Sequence, residues 1–141
     1  MNLSKNITIK HVRAFNNTAG TTNVNSSDVD FTNYDGVLFF LQMEKATATT
    51  NTNQLKVEQK DGDGNYTALT GANAVCVEDG QVLAVDVYRP LESQGNVLRG
   101  VVDIATSTKY GDMFAILYNG RIKPEQFADV AKLVISPEVT V

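Results

Sequence analysis

The sequence predicts an all-β chain, a jelly-roll-like β-sandwich of about eight strands, with at most one short helix near the C-terminus. Three observations lead there. Apolar residues recur with period two in segment after segment, most plainly in Val82–Pro90, where Leu83, Val85 and Val87 alternate with Ala84, Asp86 and Tyr88. Clusters of Asn, Asp, Gly and Thr separate those segments. Helical periodicity is confined to Pro124–Lys132.

The elements follow in order. Asn6–Val12 alternates Ile7 and Ile9 against Thr8 and Lys10, a first strand, with His11 continuing the Ile7/Ile9 face as a core or interface residue. Asn16–Ser27 is polar and turn-rich, a loop or a weakly paired edge ribbon. Tyr34-Asp35-Gly36 turns into Val37–Glu44, the strongest strand. There Val37, Phe39, Leu41 and Met43 take one face, while Leu38 and Phe40 make the other apolar too, as in a central or covered strand. Lys45–Asn53 reads as a polar connector with little core material, before Leu55 and Val57 alternate with Lys56 and Glu58.

Asp61-Gly62-Asp63-Gly64-Asn65 closes a hairpin, because Gly and Asn tolerate the positive φ of tight turns. Val75–Val77 is a short strand and Val82–Arg89 a long one, stopped by Pro90, which has no N–H for a ladder. Val97–Ile104 places Leu98, Val102 and Ile104 on one face. Asp112–Tyr118 is apolar on both faces and ends at the turn Asn119-Gly120. Pro124–Lys132 is the one helix candidate, with Pro124 at its first position, and Leu133–Ser136 is a last strand.

A chain of 141 residues is one domain, 1–141, with 1–5 expected as a flexible end. At 43% hydrophobic and 20% charged, it can build a core without staples. The net charge of −4 argues against nucleic-acid binding, which needs phosphate-neutralising Lys and Arg. The longest apolar run, Val37–Leu41, is far too short to span a membrane as a helix. Nor does the N-terminus carry the apolar stretch of a signal peptide, so the chain is expected to stay in the cytoplasm of the cell that makes it, unless it leaves as part of a larger particle.

Little in the sequence points to catalysis, and no enzyme, cofactor or metal site is expected. Cys76, the one cysteine, lies between Val75 and Val77 and reads as a small buried hydrophobe. Asp61, Asp63 and Asn65 mimic the opening of a calcium loop, yet Tyr66 stands where its glycine belongs and Ala72 where its closing glutamate belongs. Asp28 and Asp30 share one side of a strand without a third ligand, which is a solvated edge. Asp86 and Tyr88 share a face and Arg89 takes the opposite one, so the three do not converge as a catalytic set. An arginine there suits a subunit contact. A sugar platform would need flat exposed aromatics. The chain has no Trp, and Tyr34, Tyr66, Tyr110 and Tyr118 mostly lie beside turns or within strands.

Three segments in this order, Asp28–Phe40 (DVDFTNYDGVLFF), Val82–Pro90 (VLAVDVYRP) and Ala115–Pro124 (AILYNGRIKP), resemble the capsid decoration, or cement, proteins of tailed bacteriophages. The likeness spans roughly Asp28 to Pro137; Asn16–Ser27 and Thr47–Asn53 depart from it as Asn/Thr-rich inserts. The resemblance implies a β-sandwich on the capsid exterior that is made in the host cytoplasm. It implies self-association as a dimer or trimer, a major capsid protein as partner, and neither catalytic residues nor cofactor. Candidate assembly contacts are Lys10, Arg13, Phe40, Tyr88, Arg89, Phe114 and Tyr118, with Lys5, Lys10 and Arg13 on a mobile N-terminus that is either a basic arm for an acidic capsid surface or a simple frayed end. Alternatives are another virion component, at the head–tail joint or in the tail, and a carbohydrate-binding module.

Overall fold

A computed structural model describes residues 6–47, 52–90 and 94–119. Eleven strands occur among them: β1 (Ile7–Arg13), β2 (Asn16–Gly20), β3 (Val24–Asn25), β4 (Val29–Asp30), β5 (Gly36–Met43), β6 (Gln54–Lys60), β7 (Tyr66–Val75), β8 (Gln81–Tyr88), β9 (Val97–Asp103), β10 (Thr108–Tyr110) and β11 (Met113–Tyr118). The proposed helix Pro124–Lys132, the strand Leu133–Ser136 and the end 1–5 lie outside the described residues.

The strands form two packed sheets, so the predicted all-β sandwich is the observed fold. One sheet runs β1-β11-β5-β10-β2, with β8 pairing along the other edge of β5. The second runs β3-β9-β6-β7, with β4 also on β9. Period-two alternation decides what lies between them. Val37, Phe39, Leu41 and Met43 of β5 point inward with Met113, Ala115 and Leu117 of β11 and Leu83, Val85 and Val87 of β8. They meet Leu55 and Val57 of β6, Leu98 and Val102 of β9, and Val29 and Phe31. Gly100 keeps the sheets close, because a Cβ there would overlap the Met113 sulfur.

Several sequence expectations need correction. The short strand Val75–Val77 is really the end of β7, a ten-residue strand whose first nine residues alternate too weakly in polarity to be read. Cys76 and Val77 lie beyond it. The polar stretch 16–27 is not a plain loop: β2 pairs with β10 and β3 with β9, so it is the ribbon alternative that forms. The connector Lys45–Asn53 does contribute to the interior through Asn53, which is fully buried. Its side-chain oxygen accepts the N–H groups of Ala105 (2.9 Å) and Thr106 (3.2 Å), its amide reaches the Glu44 carbonyl, and its own carbonyl accepts from Cys76. One residue, through its side-chain amide and its backbone carbonyl, thereby satisfies three parts of the chain, where unpaired backbone groups would be costly.

Candidate functional site

The outward face of the six-stranded sheet carries rows of apolar residues outside the core. Register aligns them in rows. Ile7 stands opposite Tyr118, Tyr118 opposite Gly36 and Gly36 opposite Tyr88. Ile9, Ile116, Leu38 and Asp86 make the next row, then His11, Phe114, Phe40 and Ala84. The expectation that β5 and β11 are apolar on both faces therefore holds, and these outer side chains are half-buried by one another's company. Phe40 and Phe114 stack at 5.6 Å between centroids, and His11 meets the edge of Phe114 at 5.4 Å.

At the other end of this face, Tyr88 and Tyr118 lie parallel, 2° between planes and 6.4 Å apart, although a strand separates them. Gly36 on that middle strand makes this possible, because the Tyr118 ring crosses its bare backbone. The Tyr118 hydroxyl donates to the Asp86 carboxylate. Burial and then this bond push the Tyr118 hydroxyl well above the ordinary phenol range.

Four of the seven candidate contacts, Phe40, Tyr88, Phe114 and Tyr118, thus come together on one face. Arg89 joins them by a route the sequence reading missed. It does not take the opposite side of the strand, because the strand ends at Tyr88 and Arg89 adopts φ 49°. That left-handed turn swings its guanidinium over the Tyr88 ring, 5.2 Å from the centroid. Lys10 and Arg13 are elsewhere and are not a mobile arm. They sit within β1, Lys10 opposite Ala115 and Arg13 opposite Met113 past a bulge. Lys5 lies outside the described residues.

His11 lies exposed on the outward face and not in the core. Its Nε2 lies 2.9 Å from Asp112 Oδ1, which also accepts the Phe15 N–H. The His11 bond, ahead of its other contacts, holds the Asp112 carboxyl below the usual range. Phe15, 58% exposed, stands between two open clefts of about 540 and 660 Å³. Arg13, Ser26 and Ser27 help line the first; Gln42, Asp79 and Lys109 help line the second.

The second sheet presents a different outward face, built of ion pairs. Arg99 bonds Glu58 through Nε (2.8 Å) and Nη2 (2.7 Å) and lies 3.5 Å over the Tyr66 ring. The Tyr66 hydroxyl donates to Asp28, which Lys60 also approaches at 3.4 Å. Sequence reading overlooked this cluster, since its members come from three strands and one loop.

The remaining candidates have structural explanations. Asp61 Oδ1 accepts the N–H groups of Asp63 and Asn65 inside the predicted hairpin turn, chiefly the Asn65 bond lowering its pKa. Asp30 caps Thr32. Cys76 is buried, its thiol directed at the Glu78 carbonyl (3.1 Å), and burial raises its pKa. Among the described residues, no three His, Cys, Asp or Glu are grouped to hold a metal ion.

The fold and this face define a two-sheet β-sandwich with one apolar and one ionic exterior. No protein-family model and no curated protein matches the chain. Its shape is similar to that of the SPBc2 prophage-derived protein YomS, with 13% identity, TM-score 0.44, and 79% of this chain and 91% of that one covered. It is also similar to the C-terminal family 22 carbohydrate binding module of Clostridium thermocellum Xyn10B, with 12% identity, TM-score 0.46, and coverage of 84% and 83%. Against the CBM22-1–GH10 modules of the same xylanase, identity is 15% and the TM-score 0.44, with 86% of this chain and 26% of that one covered.

Proposed function

We propose that this chain is a virion structural protein that decorates a bacteriophage capsid, stabilising it by bridging neighbouring major capsid protein subunits. It acts without catalysis or cofactor, from the capsid exterior, as a dimer or trimer. The observation that carries this reading is the outward apolar face of the six-stranded sheet. Phe40, Phe114, Leu38 and Ile116 are aligned across it and flanked by Tyr88, Tyr118 and Arg89. A contiguous apolar patch with aromatic and arginine residues at its margin has the composition of a protein–protein contact. The segments that resemble decoration proteins supply its strands β5, β8 and β11. A lattice multiplies a modest contact by its many copies, so avidity replaces a strong single site.

The test is binding of purified protein to assembled heads and to free coat subunits. Saturable binding to heads, reduced by Phe40→Ser or Phe114→Ser with an unchanged fold, supports the proposal. Absence from purified virions together with no binding to heads overturns it. A second reading rests on the parallel rings of Tyr88 and Tyr118, whose geometry also suits a sugar face. Glycan binding abolished by Tyr88→Ala, without any affinity for heads, would favour that carbohydrate-binding role.

A further inference from the structure

We propose that the edge of β8 away from β5 is a self-association surface that pairs antiparallel with β8 of a second copy. The inference rests on the assembly reading and names its contact. Hydrogen-bond direction identifies what the edge offers. The Gln42 carbonyl accepts from Gly111 (2.8 Å) toward β10, and the Met43 carbonyl accepts from Gly80 (3.1 Å) toward β8. Backbone groups alternate sides along a strand, so Val37, Phe39 and Leu41 direct theirs to β8. Their register partners Val87, Val85 and Leu83 answer from β8. The N–H and C=O groups of Val82, Ala84, Asp86 and Tyr88 therefore face away from the sheet, and among the described residues no strand pairs that edge.

Other edges carry the usual protections against such pairing. β1 has Lys10, Arg13 and a bulge, and β7 has an irregular register against β6 and Gly71 at φ 79°. β8 has no proline, lysine or bulge along its eight residues. Its sequence is also self-complementary. A two-fold axis at Val85 sets Ala84 opposite the partner's Asp86 and Val82 opposite the partner's Tyr88. Val82 and Tyr88 are 63% and 56% exposed, and the two-fold axis forms this covering pair twice. Moving the axis to Asp86 would put two carboxylates face to face, and moving it to Ala84 would set Val82 against a carboxylate. The favoured register joins the two sheets into one and makes the outward aromatic face continuous across both copies.

Sedimentation of the full chain tests this, with a concentration-dependent dimer expected. Ala84→Pro removes an N–H that faces away from β5, so the β5–β8 ladder is spared while two symmetric hydrogen bonds of the dimer are lost. Dimerisation should weaken at least ~30-fold. A register test covers the case in which that variant fails to fold. An oxidised mixture of Ala84→Cys and Asp86→Cys should cross-link well beyond either variant alone, since opposed strand residues lie within disulfide reach. A protein that stays monomeric up to about 100 µM overturns the proposal. So does a dimer indifferent to Ala84→Pro, or equal cross-linking in all three samples. A monomer that still binds heads overturns the β8 contact alone; a β8 dimer that ignores heads overturns the decoration role alone.

Discussion

The ring of Tyr118 lies across the backbone of Gly36, so that a Cβ at residue 36 would overlap both Cζ and the hydroxyl oxygen of the tyrosine. The glycine opens the middle strand of the outward face and lets Tyr118 and Tyr88 come parallel over it. Gly36→Ala is expected to destabilise the protein by about 1–3 kcal/mol, the cost of overpacking. Tyr118→Ala vacates the space, so the double variant should lose less than the sum of the single losses. Denaturant titration of the four proteins measures that coupling.

Alkaline pH should act through the same tyrosine. Burial and the Asp86 carboxylate raise the Tyr118 pKa above its ordinary 10.0 in the folded state. A group whose folded pKa is raised contributes stability that is fully present below the unfolded pKa and lost as pH rises beyond it. Stability should therefore fall above about pH 10 in the native protein and fall less steeply in Tyr118→Phe. Thermal melts across that range, with tyrosinate absorbance followed in parallel, provide the measurement.

Asn53→Ala should be among the most damaging polar substitutions. It strands the N–H groups of Ala105 and Thr106 beside a fully buried site and leaves the Glu44 carbonyl with the Thr108 hydroxyl as its remaining side-chain donor, a loss of about 2–4 kcal/mol. Asn53→Asp retains the acceptor and should recover part of that stability near neutral pH. Equilibrium unfolding of both variants compares the two effects.

On the opposite exterior, Arg99→Lys keeps the charge but loses the planar stack on Tyr66 and the two-nitrogen grip on Glu58. A destabilisation of about 1 kcal/mol is expected, and it should persist in high salt because stacking is not screened. Melting temperatures with and without added salt check it.

Tyr88→Ala removes a mostly exposed ring and should cost no more than about 1 kcal/mol of stability. Under the proposed function it should nevertheless lower the number of copies retained on heads, counted by quantitative gel after sedimentation.

Much of the architecture was legible in local sequence. Period two identified β1, β5, β6, β8, β9 and β11, and the Gly/Asn cluster identified the Asp61–Asn65 turn. The double-sided apolar pattern of β5 and β11 correctly announced that something other than the core is apolar. What escaped was what depends on distant partners. β3 and β4 have two residues each and exist as strands only because β9 lies beside them. Arg89 joins the aromatic face only because its backbone turns left-handed as β8 ends.

By itself, then, the sequence determined that this chain is a β-sandwich and which side chains of each strand share a face, because alternation is a property of neighbouring residues. The tertiary structure decided which of those faces looks inward. Ile7, Ile9 and His11 point out and Val12 points in, since β1 joins β11 in that register. Whether an apolar stripe becomes core or exterior depends on which sheet packs against it, and no local pattern carries that long-range choice.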